Sequence, residues 1–128
     1  QEQDEQQTPD LRFTKVLDAQ FNNVKVKNWN GLLKEALIQA NKKAEGDFNI
    51  LRRMTTANIV NGERTDSGFE YIQDIKASFQ GVDSSNAWRL SKEIARNLNV
   101  SLSVDYVWRD KKGAAHPGEH GNLKYRPV

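Results

Sequence analysis

The chain has 128 residues, no cysteine and a formal charge of +2. This length fits one domain, and the lack of cysteine excludes a disulfide framework, a thiolate zinc site and a cysteine nucleophile. Because no apolar run is long enough for a membrane span and the first residues lack the pattern of a signal peptide, we expect a cytoplasmic location and no membrane partner.

The first ten residues are polar apart from Pro9, and four of them are acidic while none is basic. Such a segment cannot bury enough apolar area to offset the entropy of ordering, so residues 1–10 are predicted to be a disordered acidic tail or linker. Residues 11–128 then form a single domain with nineteen basic and thirteen acidic residues. This basic excess favours an anionic partner such as nucleic acid or an acidic protein, and it equally serves solubility.

The domain is predicted to begin with strands followed by a helix. Residues 11–26 are rich in β-formers around an Asn22-Asn23 pair and predict one or two short strands. Apolar residues then recur at helical spacing and predict an amphipathic helix that Asn28 caps. The apolar stripe comprises Trp29, Leu32, Leu33, Ala36, Leu37 and Ala40.

A short second helix is predicted after the first one ends at Gly46. Asp47 is placed to cap it, and we expect Arg52 and Arg53 to point outward from it. Residues 55–68 contain Asn-Gly and Asp-Ser-Gly and are predicted to be a loop or a hairpin turn.

The second half of the domain is predicted to be a strand, a helix and a strand. Residues 69–80 and 100–109 both alternate apolar and polar residues with a period of two, which is typical of strands with one buried face. Asp83, Ser84 or Ser85 caps the helix between them. The apolar seam of this helix is Ala87, Leu90, Ile94 and Leu98, with Trp88 and Ala95 beside it.

These elements predict an α+β domain, in which helices pack on one face of a small sheet of three to five strands. One-sided apolar patterns favour this class over a doubly wound sheet, whose strands are apolar on both faces. The strands at 69–80 and 100–109 pair in parallel through a right-handed crossover or lie antiparallel; the sequence leaves both arrangements open.

One string has the spelling of a catalytic motif, since His116, Glu119 and His120 match the H-x-x-E-H pattern of some zinc peptidases. That motif needs both imidazoles one turn apart on a helix, and Pro117 and Gly118 disfavour a helix there. We therefore expect an ordered turn with exposed histidines, no catalytic residue, no metal and no cofactor, and treat a metal-dependent hydrolase as the least favoured alternative.

Basic and aromatic residues are concentrated in a glycine-rich C-terminal segment, residues 109–128. Cations neutralise phosphates and aromatic rings stack on splayed bases, so this composition indicates a nucleic-acid-binding surface. Its predicted contacts are Arg109, Lys111, Lys112, Lys124, Tyr125 and Arg126, with Arg52 and Arg53 as an extension. The alternative is that Trp108 belongs to the core, the lysines form a solvated face and Tyr125 pins the segment to the domain.

Residues 79–123 resemble small accessory domains attached to bacterial restriction and phage-defence proteins. The resemblance lies in Gln-Gly-Val-Asp at 80–83 before a helix with Trp88, the strand at 104–109, and Ala-Ala-His-Pro-Gly at 114–118. It implies a DNA-associated or regulatory module and carries over no functional residue. We accordingly predict a non-catalytic nucleic-acid-binding accessory module of a bacterial or phage protein, with a protein-interaction or oligomerisation module as the alternative.

Overall fold

A computed structural model describes residues 8–127 of the chain, and the prediction of a tail at 1–10 lies outside this range except for Thr8, Pro9 and Asp10. The strands are β1 (Thr14–Phe21), β2 (Val24–Val26), β3 (Ile59–Asn61), β4 (Phe69–Ile72), β5 (Ala77–Gln80), β6 (Leu102–Trp108) and β7 (His120–Tyr125). The helices are α1 (Trp29–Lys43), α2 (Phe48–Arg52) and α3 (Ser84–Leu98). None of the helices in this range has the length and apolar composition that a membrane span requires.

The chain joins the domain at Asp10 and Leu11. Leu11 is fully buried, and the indole Nε1 of Trp108 donates a hydrogen bond of 2.9 Å to the Asp10 carbonyl. Arg12 turns back on the Asp10 carboxylate, with 2.7 Å between its guanidinium and Oδ2. Asp10 is therefore hydrogen-bonded to a residue of β6.

A four-stranded antiparallel sheet in the order β2-β1-β6-β7 forms one layer of the domain. The period-two pattern of β6 places Leu102, Val104, Tyr106 and Trp108 on its buried face. The helices cover this face: the ring of Trp29 in α1 lies 5.8 Å from that of Tyr106. The opposite side of the sheet, where exposed polar residues alternate with the core residues, is open to solvent and is called the open face below.

Both long helices form where the apolar stripes predict them. The six apolar residues of the α1 stripe are all buried, and Asn28 Oδ1 accepts a hydrogen bond from the Gly31 amide at 2.7 Å. Asp47 caps α2 as expected. Of the three candidate caps for α3, the structure uses Asp83, whose Oδ1 accepts from the Asn86 amide at 2.8 Å.

An α+β domain is confirmed, but the strands form two sheets where one sheet was predicted. β3, β5 and β4 make a second, antiparallel three-stranded sheet. Residues 69–80 are a hairpin and not one strand, because a turn at Gln73–Ile75 and the left-handed backbone of Lys76 (φ 52°) reverse the chain. The segment predicted as a loop or a hairpin turn, 55–68, supplies β3. The strands at 69–80 and 100–109 therefore lie in different sheets and do not pair with each other.

The C-terminal segment contains a strand that the sequence analysis did not predict, because the chain returns to the sheet after a loop. β7 pairs antiparallel with β6, from Val107 opposite His120 to Leu102 opposite Tyr125. Leu123 and Tyr125 of β7 are buried in the core. β7 is therefore an edge strand of this sheet.

Candidate nucleic-acid interface

Seven of the predicted contact residues are exposed cations, and the structure divides them into three groups. These are the loop group (Arg109, Lys111, Lys112), the edge group (Lys124, Arg126) and the helical group (Arg52, Arg53). The loop group follows the end of β6 and the edge group lies beside its start, so the seven residues of β6 separate them by roughly 20 Å. The predicted contacts therefore do not form one continuous patch.

The helical group is at the end of the domain remote from the loop group. Asn97, in the last turn of α3, donates a hydrogen bond of 2.7 Å to the carbonyl of Met54, directly after this group. The loop group lies near the first turn of α3, as described below. Because α3 has fifteen residues and rises about 1.5 Å per residue, roughly 20 Å separates the two regions.

The loop group is held against Phe13. The amide of Arg109 donates to the Phe13 carbonyl at 2.8 Å, and Lys111 Nζ lies 4.5 Å from the centre of the Phe13 ring. Gly113 packs so closely against this ring that a Cβ at that position would lie 3.2 Å from Phe13 Cε2. The loop is also closed by its own backbone, since the Ala114 amide donates to the Lys111 carbonyl at 3.1 Å.

Phe13 combines exposure with a strained backbone. Its side chain is 37% exposed, whereas the apolar residues on either side of it in the sequence, Leu11 and Val16, are buried. Its φ is 63°, a left-handed conformation that a bulky side chain rarely adopts. The left-handed conformation turns Phe13 out of the core, beside the loop group. Strain of this kind clusters at functional sites.

A groove of about 710 Å³ begins at Phe13 and Arg12 and runs between the first turns of α1 and α3. Its walls are formed by Asn28–Gly31 and Asp83–Ser85, residues at the start of the two helices. Lys34 also lines it and pairs with Glu70 across the groove at 3.2 Å. This volume lies within the range of small-molecule sites and adjoins the loop group through Phe13.

The edge group sits on the open face. Lys124 lies opposite Ser103, which lies opposite Gln20, so three adjacent strands place these residues in one row. Lys124 and Arg126 are two residues apart and line one cleft of about 260 Å³ together with Tyr125. The cleft lies at the end of the sheet where β1 turns into β2.

Tyr125 is not placed to stack on a base. It is 4% exposed and packs with the core, because it alternates with Lys124 and Arg126 and so points to the buried face. Trp108 is likewise buried, at 5% exposed, with its ring edge-on to that of Tyr106 at 5.1 Å. Both residues hold β6 and β7 to the core. This agrees with the alternative interpretation, in which Trp108 belongs to the core and Tyr125 pins the C-terminal segment to the domain.

The H-x-x-E-H string forms a turn and not a helix, as expected. His116 and His120 are both exposed, and 4.0 Å separates His116 Nδ1 from Glu119 Oε1. The His116 ring instead packs on Trp108, with 4.8 Å between the ring centres. In the described part of the chain no three His, Cys, Asp or Glu residues are grouped so that they could hold a metal ion.

Two causes shift pKa values in the structure: hydrogen bonds from arginine side chains, and burial. Hydrogen bonds from Arg12 lower the pKa of Asp10, and hydrogen bonds from Arg64 lower the pKa of Asp66. Burial raises the pKa of Tyr106. Arg64 also lies over the Phe69 ring, 4.2 Å from its centre, so its side chain is held against the second sheet.

The sequence prediction missed the residue around which the loop group is organised. Phe13 has the apolar character of its neighbours, and its left-handed backbone and its contact with Lys111 depend on the tertiary structure. Gln20 and Ser103 were missed for a related reason, since only the register of β1, β6 and β7 brings them beside Lys124.

Comparison of the chain with protein-family models, with curated proteins and with solved structures found no match.

Proposed function

We propose that this domain is a non-catalytic module that binds single-stranded nucleic acid at the loop group and Phe13. The observation that carries the proposal is an exposed aromatic ring in a strained conformation with a lysine ammonium 4.5 Å from its centre. This pairing of a ring and a cation supplies the two contacts that a single strand offers, an unstacked base and a phosphate.

The base would stack on Phe13. Every base has a π-face, so stacking is tolerant of sequence and is worth about 1–3 kcal/mol per base. Duplex DNA does not present this face, because its bases are already stacked on each other. The groove beside Phe13, about 710 Å³, provides space for the nucleotides that follow the stacked one.

The phosphates would contact Arg109, Lys111 and Lys112. These three exposed cations lie within four residues of each other and are accompanied by a single carboxylate in that stretch, Asp110. When the phosphates of a strand pair with these cations, the strand releases its counterions. Its affinity therefore falls with salt, and log affinity against log salt concentration has a slope of about −0.7 per phosphate contact. Gly113 lets the loop pack against Phe13, which places the cations and the ring on one surface.

The wider role that we propose is that of an accessory module in a bacterial or phage protein. This is what the resemblance of residues 79–123 to restriction and phage-defence accessory domains implies. A cytoplasmic location, which the cysteine-free composition favours, fits this role.

The alternative function, a protein-interaction module, predicts a contiguous apolar patch at the surface. Among the described residues, the large apolar side chains that are exposed are Phe13, Leu17, Val24 and Ile50. They lie on four different segments: the residues before β1, β1 itself, β2 and α2. The loop group therefore supports nucleic-acid binding more directly than the apolar surface supports a protein partner.

Fluorescence anisotropy of labelled single- and double-stranded DNA and RNA, titrated with the protein at several salt concentrations, tests the proposal. We expect single strands to bind more tightly than duplexes of the same length. In a K111A/K112A variant the slope of log affinity against log salt concentration should become less negative by roughly 1.4, because two phosphate contacts are lost.

The matched control is R52A/R53A, which removes the same charge from the helical group. It should leave the affinity nearly unchanged, because only long-range attraction is lost. Equal losses in both double variants would show unspecific attraction to a basic protein, and the assignment to the loop group would be rejected. Absence of binding at low salt would reject the function itself.

A further inference from the structure

An ion pair crosses the groove that begins at Phe13. Lys34 Nζ of α1 lies 3.2 Å from Glu70 Oε2 of β4, and both residues line this groove of about 710 Å³. Their side chains are 40% and 54% exposed, so the pair is in contact with solvent. An exposed pair of this kind contributes little to the stability of a fold. Its charged groups are therefore accessible to a ligand that enters the groove.

Hydrogen bonds fix the wall on which a planar ring would lie. Asn30 Nδ2, in the first turn of α1, donates to the Val82 carbonyl at 3.1 Å, and the Val82 amide donates back to Asn30 Oδ1 at 3.1 Å. Val82 and Trp29, the residue before Asn30, both line the groove. Trp29 is itself held, since its Nε1 donates to Thr14 Oγ1 at 3.0 Å. The groove is therefore preformed and combines apolar residues with a few charged groups, which is the usual composition of a ligand site.

The charges of the groove suit a neutral ring better than a phosphate. Among the described residues that line it, Arg12 and Lys34 are cations, and Glu70 and Asp83 are carboxylates. Two carboxylates repel a phosphate, whereas the loop group has an excess of cations. A strand that places its phosphates on the loop group would thus place a base in the groove.

A carboxylate beside an ammonium group distinguishes guanine from the other bases. On its pairing edge guanine presents two adjacent donors, N1–H and N2–H, next to the acceptor O6, whereas each of the other bases has a single donor group there. A carboxylate accepts two parallel hydrogen bonds through its two oxygens, and an ammonium donates to a carbonyl oxygen. The two oxygens of Glu70 therefore match N1–H and N2–H, and Lys34 Nζ matches O6.

We propose that the groove binds a guanine base, with Glu70 accepting from its N1–H and N2–H and Lys34 donating to its O6. The role of the site in a strand rests on the proposed function: guanine would be the base next to the one stacked on Phe13. The module would then prefer single strands with guanine at that position. The affinity of the groove for guanine does not depend on the loop group, and a mononucleotide measures it.

Titration of the ¹⁵N-labelled protein with guanosine and inosine monophosphates, followed by NMR, tests the groove on its own. Inosine lacks only the N2 amino group, so it forms one of the two hydrogen bonds to Glu70. We expect saturable amide shifts at residues 29–34, 69–71 and 82–85, and tighter binding of the guanosine nucleotide by at least about fivefold. In E70Q this difference should disappear, because a carboxamide replaces one acceptor oxygen with a donor.

The matched control is E63Q, which removes the same charge from an exposed glutamate in the loop between β3 and β4. It should keep the difference between the two nucleotides, and thermal melting of each variant verifies the fold. A purely electrostatic role of Glu70 predicts another result: E70Q would bind both nucleotides more tightly and keep any difference between them. That result, equal binding of the two nucleotides by the wild type, or the absence of saturable shifts in the groove would overturn the guanine site.

Single strands separate this inference from the proposed function. An oligouridine with one central guanosine is compared by anisotropy with the same strand carrying inosine. Binding that depends on Lys111 and Lys112 but is equal for the two strands upholds the function of the loop group and rejects the guanine site. A preference for the guanosine nucleotide that E70Q removes, without any single-strand binding, upholds the guanine site and rejects the function of the loop group.

Discussion

Lys111 Nζ lies 4.5 Å from the centre of the Phe13 ring, although Phe13 precedes the first strand and Lys111 follows the sixth. The contact joins two segments that are far apart in the sequence at one surface, beside the hydrogen bond from the Arg109 amide to the Phe13 carbonyl. A cation at this distance is attracted by the ring quadrupole, with an energy of about 0.5–1 kcal/mol at an exposed site. The pair therefore orients the loop group.

The Lys111 side chain should have separable effects on binding and on stability. In K111A we expect the slope of log affinity against log salt concentration for single-strand binding to become less negative by about 0.7, since one phosphate contact is lost. K111R should keep the slope, because guanidinium also lies over rings and contacts phosphates. Anisotropy measures the slope, and chemical denaturation measures the free energy of unfolding. A slope in K111A equal to that of the wild type would contradict the role of Lys111.

The cap of α3 distinguishes three neighbouring residues that the sequence left equivalent. Asp83 Oδ1 accepts from the Asn86 amide at 2.8 Å, so D83A should lower the free energy of unfolding by about 1 kcal/mol. S85A, a matched change two residues away, should stay within about 0.5 kcal/mol of the wild type. Urea denaturation followed by circular dichroism measures both, and equal effects of the two changes would refute the cap.

Gly121 is required by the ring of Tyr106. A Cβ at Gly121 would lie 2.5 Å from Tyr106 Cζ, so G121A must move the ring or separate β7 from β6. We expect a loss of about 1–3 kcal/mol of stability. G81A is the control, because a Cβ there has its nearest contact at 3.6 Å, with the carbonyl oxygen of Gly68. Thermal denaturation should rank G81A well above G121A; the reverse order would show that the packing of Tyr106 on β7 is misassigned.

The contact between Arg12 and Asp10 predicts a small dependence of stability on pH. Hydrogen bonds from Arg12 lower the pKa of Asp10 below its ordinary value of 3.8. A carboxylate with a lowered pKa stabilises the fold above the unfolded-state value, and this contribution is lost as the pH falls through the folded-state pKa. In R12A the pKa of Asp10 should return towards 3.8.

Carboxyl chemical shifts measured by NMR across the acid range provide the test. The difference in melting temperature between wild type and R12A should narrow as Asp10 becomes protonated. A difference that widens towards acid would have the wrong sign for this contact. In a D10N background, where residue 10 cannot titrate, the difference in melting temperature between the proteins with and without R12A should no longer depend on pH.

Elements with a sustained apolar period were predictable from the sequence. All six stripe residues of α1 are buried, and β6 buries the four residues that alternation selects from it. The hairpin at 69–80 was missed although its sequence breaks at the turn. β4 buries Phe69 and Ile72, three residues apart, which departs from the period of two on which a single strand was predicted. β7 was missed because only Leu123 and Tyr125 are buried among its polar residues.

The candidate site was predictable only in part, since its cations are local in sequence and its aromatic residue is not. Arg109, Lys111 and Lys112 were found because they follow a strand within four residues of each other. Tyr125 was assigned as a stacking residue from its basic neighbours, whereas the alternation of β7 turns it inward. Phe13 has no local signal, because its exposure follows from a left-handed backbone and from the loop that packs on it.

Photochemical crosslinking tests the central claim most directly. A single strand that contains 5-iodouridine is irradiated with the 128-residue protein, and the adducts are located by mass spectrometry. Stacking on Phe13 predicts an adduct on the peptide that contains it, with F13L removing the adduct and lowering the affinity. A strand that binds equally well to wild type and F13L, with its adducts elsewhere, would contradict the account.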